Sequence, residues 1–360
     1  MTEKLAGDEG AVRVRIDGAV GRITLDRPQA LNALSLAMLT EFDAALTRFE
    51  EDAGIAAVLV DGAGGRAFSA GGDIRRLSAD SLAAPERAAA LLAAEYRLTF
   101  RIAHYPKPYV ALMDGIVMGA GIGLSAHGMV RIVTERTLMA MPEVGIGFMP
   151  DVGATWMFAR AGALGTLMAV TGDRFGAADA ILLGMADHLI PSAELPAFVE
   201  ALVGHGFGAD PAVEVAALAT GFAVAPPPGR LAALAGLAEA AFAKDSLAGA
   251  VAVLAAGGPE GEAIVRLMET RAPLPMCVTF EEVRRARGLD LAAAIDMEYR
   301  ASLHGLPRQD FREGVRAAVI DRTHTPLWDP PTLAAVDPAA VAQMLAPLGE
   351  RELGLAASPA

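Results

Sequence analysis

Pro108-Tyr-Val-Ala-Leu-Met113 is an apolar run that continues to about residue 117 and leads into Gly119-Ala-Gly-Ile-Gly123. A short apolar run bounded by turn residues reads as a strand buried on both faces. Closely spaced glycines at its end let the chain turn sharply into a helix, leaving the first backbone N–H groups of that helix without partners. The same grammar stands upstream. Ile55-Ala-Ala-Val-Leu-Val60 reads as a buried strand, Gly62-Ala-Gly-Gly65 as a turn, and Ala67-Phe-Ser-Ala-Gly-Gly-Asp73 as a strand end passing into a helix. Strands alternating with helices predict an α/β architecture.

Working outward, Val12-Arg-Val-Arg-Ile16 and Gly21-Arg-Ile-Thr-Leu25 alternate around Asp17-Gly18, which predicts a β-hairpin. Met38, Leu39, Phe42, Leu46 and Phe49 recur at helical spacing behind Ser35, a candidate N-cap. A helix is expected over 85–104, ending at His104-Tyr105 before Pro106. Two short strands are expected at 130–134 and 137–140, and one helix over 156–170. Beyond about 195 Ala/Leu-rich helical text dominates, interrupted by a loop at Ala225-Pro-Pro-Pro-Gly229. The expected organisation is a core over 11–199, a mostly helical region over 200–345 and a tail over 346–360 that frays from Gly354 onward.

With 360 residues, 53% of them hydrophobic, the chain can bury a large core. Its first ten residues are acidic and lack the basic-then-apolar pattern of a secretory signal, and Asp114 and Lys244-Asp245 interrupt the longest apolar stretches. A cytoplasmic location without membrane attachment is therefore expected. The single cysteine, Cys277, excludes an intrachain disulfide, and six scattered histidines offer no zinc spacing. A net charge of −13 argues against nucleic acid as a partner. An anionic ligand would need a local basic cluster, for which Arg66, Arg75, Arg76 and Lys107 are the candidates.

Chemistry concentrates in three segments. The glycine turns at 71–72 and 119–123 each free backbone N–H groups, and two such groups converging on one point would hold a developing oxyanion. The third segment, Met141-Pro-Glu-Val-Gly-Ile-Gly-Phe-Met-Pro-Asp-Val-Gly153, places carboxylates at 143 and 151 in apolar text, where loss of water disfavours the charged form. On these residues alone, Glu143 and Asp151 are either an acid/base pair or carboxylates of solvated turns and helix caps. Ser125 and His127 lie close in sequence but point apart on a helix and lack a nucleophile elbow. Asp73 is placed to cap the helix that Gly72 starts.

The ordered motifs Ile23-Thr-Leu-Asp-Arg-Pro-Gln-Ala-Leu-Asn-Ala-Leu34, Ala67-Phe-Ser-Ala-Gly-Gly-Asp-Ile74, Lys107-Pro-Tyr-Val-Ala with Met118-Gly-Ala-Gly-Ile-Gly123, and Met141-Pro-Glu143 resemble the enoyl-CoA hydratase/isomerase, or crotonase, superfamily. Within it, Ala94-Glu-Tyr-Arg-Leu98, Gly123-Leu-Ser-Ala-His-Gly128, Phe148-Met-Pro-Asp-Val-Gly153, Met297-Glu-Tyr-Arg300 and the stretch 310–322 are similar to the 3-hydroxyisobutyryl-CoA hydrolase family, over about 11–335. The resemblance implies a crotonase-like spiral of ββα units with a C-terminal helical region, and hydrolysis of a short 3-hydroxyacyl-CoA thioester. It implies Gly72 and Ala120 as the two oxyanion donors, Glu143 as nucleophile or general base and Asp151 as its partner. Glu95, Gly71, Gly119 and Asp73 complete the substrate-binding set. Ala120 departs from the glycine usual in the family; a backbone N–H survives the change, but the methyl narrows the acyl pocket. No metal and no cofactor are expected beyond the coenzyme A of the substrate, and assembly into a homo-oligomer is possible within such a superfamily.

A hydratase of this type employs a second glutamate where this chain has Gly123, so hydration lacks half its acid/base equipment. The alternatives are an enoyl-CoA hydratase or isomerase of the same fold, a non-catalytic acyl-CoA-binding protein, and a nicotinamide-dependent oxidoreductase suggested by Gly121-Ile-Gly-Leu-Ser-Ala126.

Overall fold

Each turn of the chain lays one strand in a first sheet and the next strand in a second. The computed structural model describes residues 12–356; the acidic start and residues 357–360 lie outside that span. The strands are β1 (Val12–Asp17), β2 (Val20–Leu25), β3 (Ala57–Gly62), β4 (Ala67–Ser69), β5 (Tyr109–Met113), β6 (Ile116–Met118), β7 (Val130–Val133), β8 (Leu138–Ala140), β9 (Phe175–Gly176) and β10 (His188–Leu189). The first sheet runs β1-β2-β3-β5-β7-β10 and the second β4-β6-β8-β9. The β1/β2 hairpin is antiparallel, and β2, β3, β5, β7 and β10 then pair in parallel. In the second sheet β4, β6 and β8 are parallel. The α/β class and the repeated ββα turn read from the sequence are therefore present.

The strand over 108–117 is in fact two strands in different sheets. Asp114-Gly115 breaks it: Gly115 takes φ 78°, and a β-carbon there would lie 2.4 Å from the Arg66 carbonyl oxygen. Apolar text on both sides of a two-residue turn hid the transfer. The helix expected over 156–170 is likewise two, Ala154–Arg160 and Gly162–Thr171, separated where Gly162 takes φ 66°. The helix Leu36–Glu51 follows its periodicity: Ser35 accepts the Met38 N–H, and Met38, Leu39, Phe42, Ala45, Leu46 and Phe49 are buried. Burial of one such large side chain contributes about 1.5–3 kcal/mol.

The inner strands β3, β5 and β7 of the first sheet are covered on both faces, which explains their apolar runs. Val58, Val60, Ala111 and Met113 face the main core, whereas Leu59, Val110 and Leu112 face a second cluster closed by Phe198, Leu202 and Val215. The main core extends into helices beyond residue 200, including Leu274, Ile295 and Phe311. The tail does not fray at Gly354: Leu355 and Ala356 N–H groups donate to the Asp296 carboxylate, and Arg300 pairs with Glu352 at 2.8 Å. No helix among the described residues is long and apolar enough to cross a membrane.

Candidate active site

Three neighbouring parallel strands of the second sheet, β4, β6 and β8, end side by side, with Ile116 paired to both Ala67 and Leu138. Ligands of parallel sheets bind beyond the carboxyl ends of strands. Beyond β4 the chain passes through Gly71 and Gly72, beyond β6 through Gly119 and Ala120, and beyond β8 through Met141-Pro142 to Glu143. Parallel register thus delivers all three segments to one place.

The glycines are required there. Gly71 takes φ 99°, and a β-carbon on it would lie 2.9 Å from the Met118 carbonyl oxygen and 3.4 Å from the Ala120 nitrogen. Gly119 takes φ 50°, and its β-carbon would meet Glu143 Oε1 at 2.9 Å. The two turns therefore approach each other backbone to backbone, with Glu143 against the second. The N–H groups of Gly72 and Ala120 donate to no acceptor among the described residues. They are free donors at the mouth of short turns, the arrangement an oxyanion requires.

Glu143 opens a single 3₁₀ turn, Glu143–Ile146, behind Pro142. Its side chain is 8% exposed, and its buried Oε2 has no hydrogen-bond partner among the described residues. Asp151, 7% exposed, accepts the Tyr96 hydroxyl at 2.7 Å. Glu95 is also buried, and its Oε1 would lie 3.8 Å from a β-carbon on Gly72. Three buried carboxyl groups thus lie within electrostatic reach of one another. Burial, and next the Asp151 charge, holds Glu143 well above the usual carboxylate range, and the same two causes raise Glu95. Burial pushes Asp151 up to about 7 against the opposing Tyr96 hydrogen bond. Burial and the Asp151 charge thus both favour the protonated forms of Glu143 and Glu95.

Gly123 is closed to a second catalytic glutamate by the packing itself. A β-carbon there would lie 2.7 Å from Thr99 Oγ1 and 2.8 Å from Val152 Cβ. Other sequence candidates take supporting places. Asp73 accepts the Arg76 N–H as N-cap of the helix Ile74–Ala83 and pairs with Arg27 at 3.0 Å, so its carboxylate is committed to the scaffold. Lys107 leaves the basic set: its ammonium caps the Phe49 and Asp52 carbonyls. Arg75 donates to the Val319 carbonyl oxygen and Arg76 pairs with Asp80, both in the helix that follows Gly72. Ser125 donates to the Gly121 carbonyl and His127 to the Val152 carbonyl, so they do not form a nucleophile and base. The glycine fingerprint at 121–126 opens a helix of only four residues, Ala120–Gly123.

Sequence reading missed Tyr96, Ser302, Glu298 and Thr155. Tyr96 also contacts Ser302 Oγ at 2.6 Å, while Glu298 accepts the Gly153 N–H at 2.6 Å, the Thr155 N–H at 2.9 Å and the Thr155 hydroxyl. Glu298 lies in the helix Leu291–Gly305 and is fully buried. The available signal was a charged residue in the text Ala294-Ile-Asp-Met-Glu298, whose neighbours are core residues.

The enoyl-CoA hydratase/isomerase family model matches residues 20–345. Among curated proteins, "3-hydroxyisobutyryl-CoA hydrolase, mitochondrial" of Danio rerio is 36% identical over 94% of this chain and 90% of its own length. The protein of the same name from Homo sapiens is 34% identical over 89% of this chain and 84% of its own length. Among solved structures, a carnitinyl-CoA dehydratase from Mycobacterium thermoresistibile is 40% identical with a TM-score of 0.90, covering 96% of this chain and 99% of that one. An enoyl-CoA hydratase from Rhodobacter sphaeroides is 39% identical with a TM-score of 0.87, covering 95% and 99%.

Proposed function

The chain belongs to the enoyl-CoA hydratase/isomerase family, and from that premise we propose that it hydrolyses 3-hydroxyisobutyryl-CoA to the free hydroxy acid and coenzyme A through Glu143. The supporting observation is the convergence of two unpaired backbone N–H groups with Glu143, whose buried Oε2 has no partner among the described residues, at the ends of β4, β6 and β8.

The thioester oxygen rests on the N–H groups of Gly72 and Ala120, which hold the negative charge that builds as the carbonyl carbon becomes tetrahedral. Glu143 either adds to that carbon or takes a proton from a water that adds. Collapse breaks the C–S bond and releases coenzyme A as its thiolate. In the first route a mixed anhydride with Glu143 forms and water then cleaves it; hydroxylamine trapping during turnover distinguishes the two. Asp151 and Glu95 hold the 3-hydroxyl side of the acyl group, and the apolar surroundings strengthen these contacts. The reaction draws on no cofactor beyond the coenzyme A of its substrate.

Two solved relatives are titled as a dehydratase and a hydratase, so water addition to an enoyl-CoA is the competing reading. The closed space at Gly123 weighs against it. Purified protein is mixed with 3-hydroxyisobutyryl-CoA, 3-hydroxypropionyl-CoA and crotonyl-CoA while free thiol and enoyl absorbance are followed together. Thiol release that disappears in Glu143→Ala supports hydrolysis; enoyl loss without thiol overturns it. The cytoplasm, a role in valine breakdown and a homo-oligomeric state are part of the same proposal, and cell fractionation, growth on valine and sedimentation test them in turn.

A further inference from the structure

Val152 is a fully buried, β-branched residue at φ 53°, in the left-handed region that such side chains avoid. Gly153 follows at φ 78°, and the Ala154 N–H donates to the Asp151 carbonyl at 2.9 Å. Asp151 therefore sits at the head of a tight turn whose second residue is strained. Strain of this kind persists only where surrounding contacts impose it.

Those contacts come chiefly from one face of the helix Leu291–Gly305. Glu298 gathers three donors from the backbone and hydroxyl of Gly153 and Thr155, immediately after the strained residue. One helical turn later Ser302 meets the Tyr96 hydroxyl, which in turn donates to Asp151 Oδ2. On the opposite side His127 donates to the Val152 carbonyl at 2.9 Å, and the Val152 side chain fills the space beside Gly123. Backbone and carboxylate of the same turn are gripped from a single helix 145 residues away in sequence.

We propose that Glu298 is a positioning residue that forces the Asp151-Val152-Gly153 turn into its left-handed form and so aims the Asp151 carboxyl at the substrate. The inference rests on the role given to Asp151 beside Glu143 above. Glu298 touches no reacting atom. Its effect passes through the turn, so it alters the chemical step and leaves the oxyanion donors of Gly72 and Ala120 in place.

The test compares Glu298→Ala, Glu298→Gln and the double variant Glu298→Ala/Val152→Gly in steady-state hydrolysis of 3-hydroxyisobutyryl-CoA, with each rate normalised to folded protein by circular dichroism. Misplacement of a catalytic group by about 1 Å costs on the order of 10²-fold, so Glu298→Ala is expected to lower kcat ~100-fold with KM within ~3-fold. Glutamine retains an acceptor for one N–H and a donor for the Thr155 hydroxyl, and should restore most of the rate. Glycine takes positive φ at no steric cost, so Val152→Gly should recover part of the rate lost in Glu298→Ala. Wild-type kcat in Glu298→Ala, or a second substitution that only lowers the rate further, overturns the proposal. If instead the wild-type protein consumes crotonyl-CoA and releases no thiol from 3-hydroxyisobutyryl-CoA, the hydrolase reading itself has failed, a result that the Glu298 variants cannot mimic.

Discussion

The two halves of the site are built by different means. The oxyanion half, Gly71-Gly72 and Gly119-Ala120, is made by local backbone at the ends of adjacent strands, and glycine is required because the two turns nearly touch. The Asp151 half is a strained turn whose shape is imposed by side chains from a helix far along the chain. Local construction leaves its mark in short motifs. Construction at a distance leaves almost none, because a buried glutamate that pins backbone looks like any helical glutamate until the fold is known.

The contrast is sharpest at the residue that both halves serve. Glu143→Gln should lower kcat/KM by ~10²–10⁴-fold, the usual worth of a positioned acid or base, while circular dichroism stays native. A loss under tenfold would move the chemistry to another carboxyl. Gly71→Ala attacks the local half directly. Its methyl enters at 2.9 Å from the Met118 carbonyl at a φ of 99°, and loss of one oxyanion donor is worth ~10²–10³-fold in kcat, read by thiol release at saturating substrate. Normal turnover would show that the two turns can separate without consequence.

Gly123→Ala presses on the junction between the halves, against Thr99 and Val152. Overpacking of this sort costs about 1–3 kcal/mol, measurable as a lower urea midpoint, and it should not create hydratase activity. Unchanged stability would mean that Val152 moves freely.

A smaller effect concerns pH. Burial raises Asp151 to about 7 and Glu298 to about 8 in the folded chain, against about 4 for unfolded carboxyls. The folded state therefore holds protons that the unfolded state releases. This stabilisation is complete below pH ~4 and is lost as pH rises through 7 to 8, at no more than ~1.4 kcal/mol per pH unit per group. Wild-type stability relative to Asp151→Asn should then fall between pH 5 and 8 in urea titrations; a constant difference would break the assignment. Removing the Asp151 charge should also let Glu143 ionise at lower pH, moving the acidic limb of kcat/KM downward.

Legibility in the sequence followed the same division. The hairpin and the Ser35-capped helix could be found because period and caps are short-range signals, whereas the roles given to Gly72, Ala120, Glu143 and Asp151 came from the resemblance of short motifs to a family. The sheet change at Asp114-Gly115 was invisible because apolar strands flank it in both sheets. Lys107 could only be named a candidate for the basic cluster, because a lysine that caps a helix and one that meets a phosphate look the same in sequence.

The helix Leu291–Gly305 also carries a consequence for synthesis. Glu298 leaves the ribosome 145 residues after the turn it shapes. A nascent chain therefore carries both glycine turns before the helix that holds the Asp151 turn has been made. The carboxylate half of the site is completed only once the helix Leu291–Gly305 has emerged.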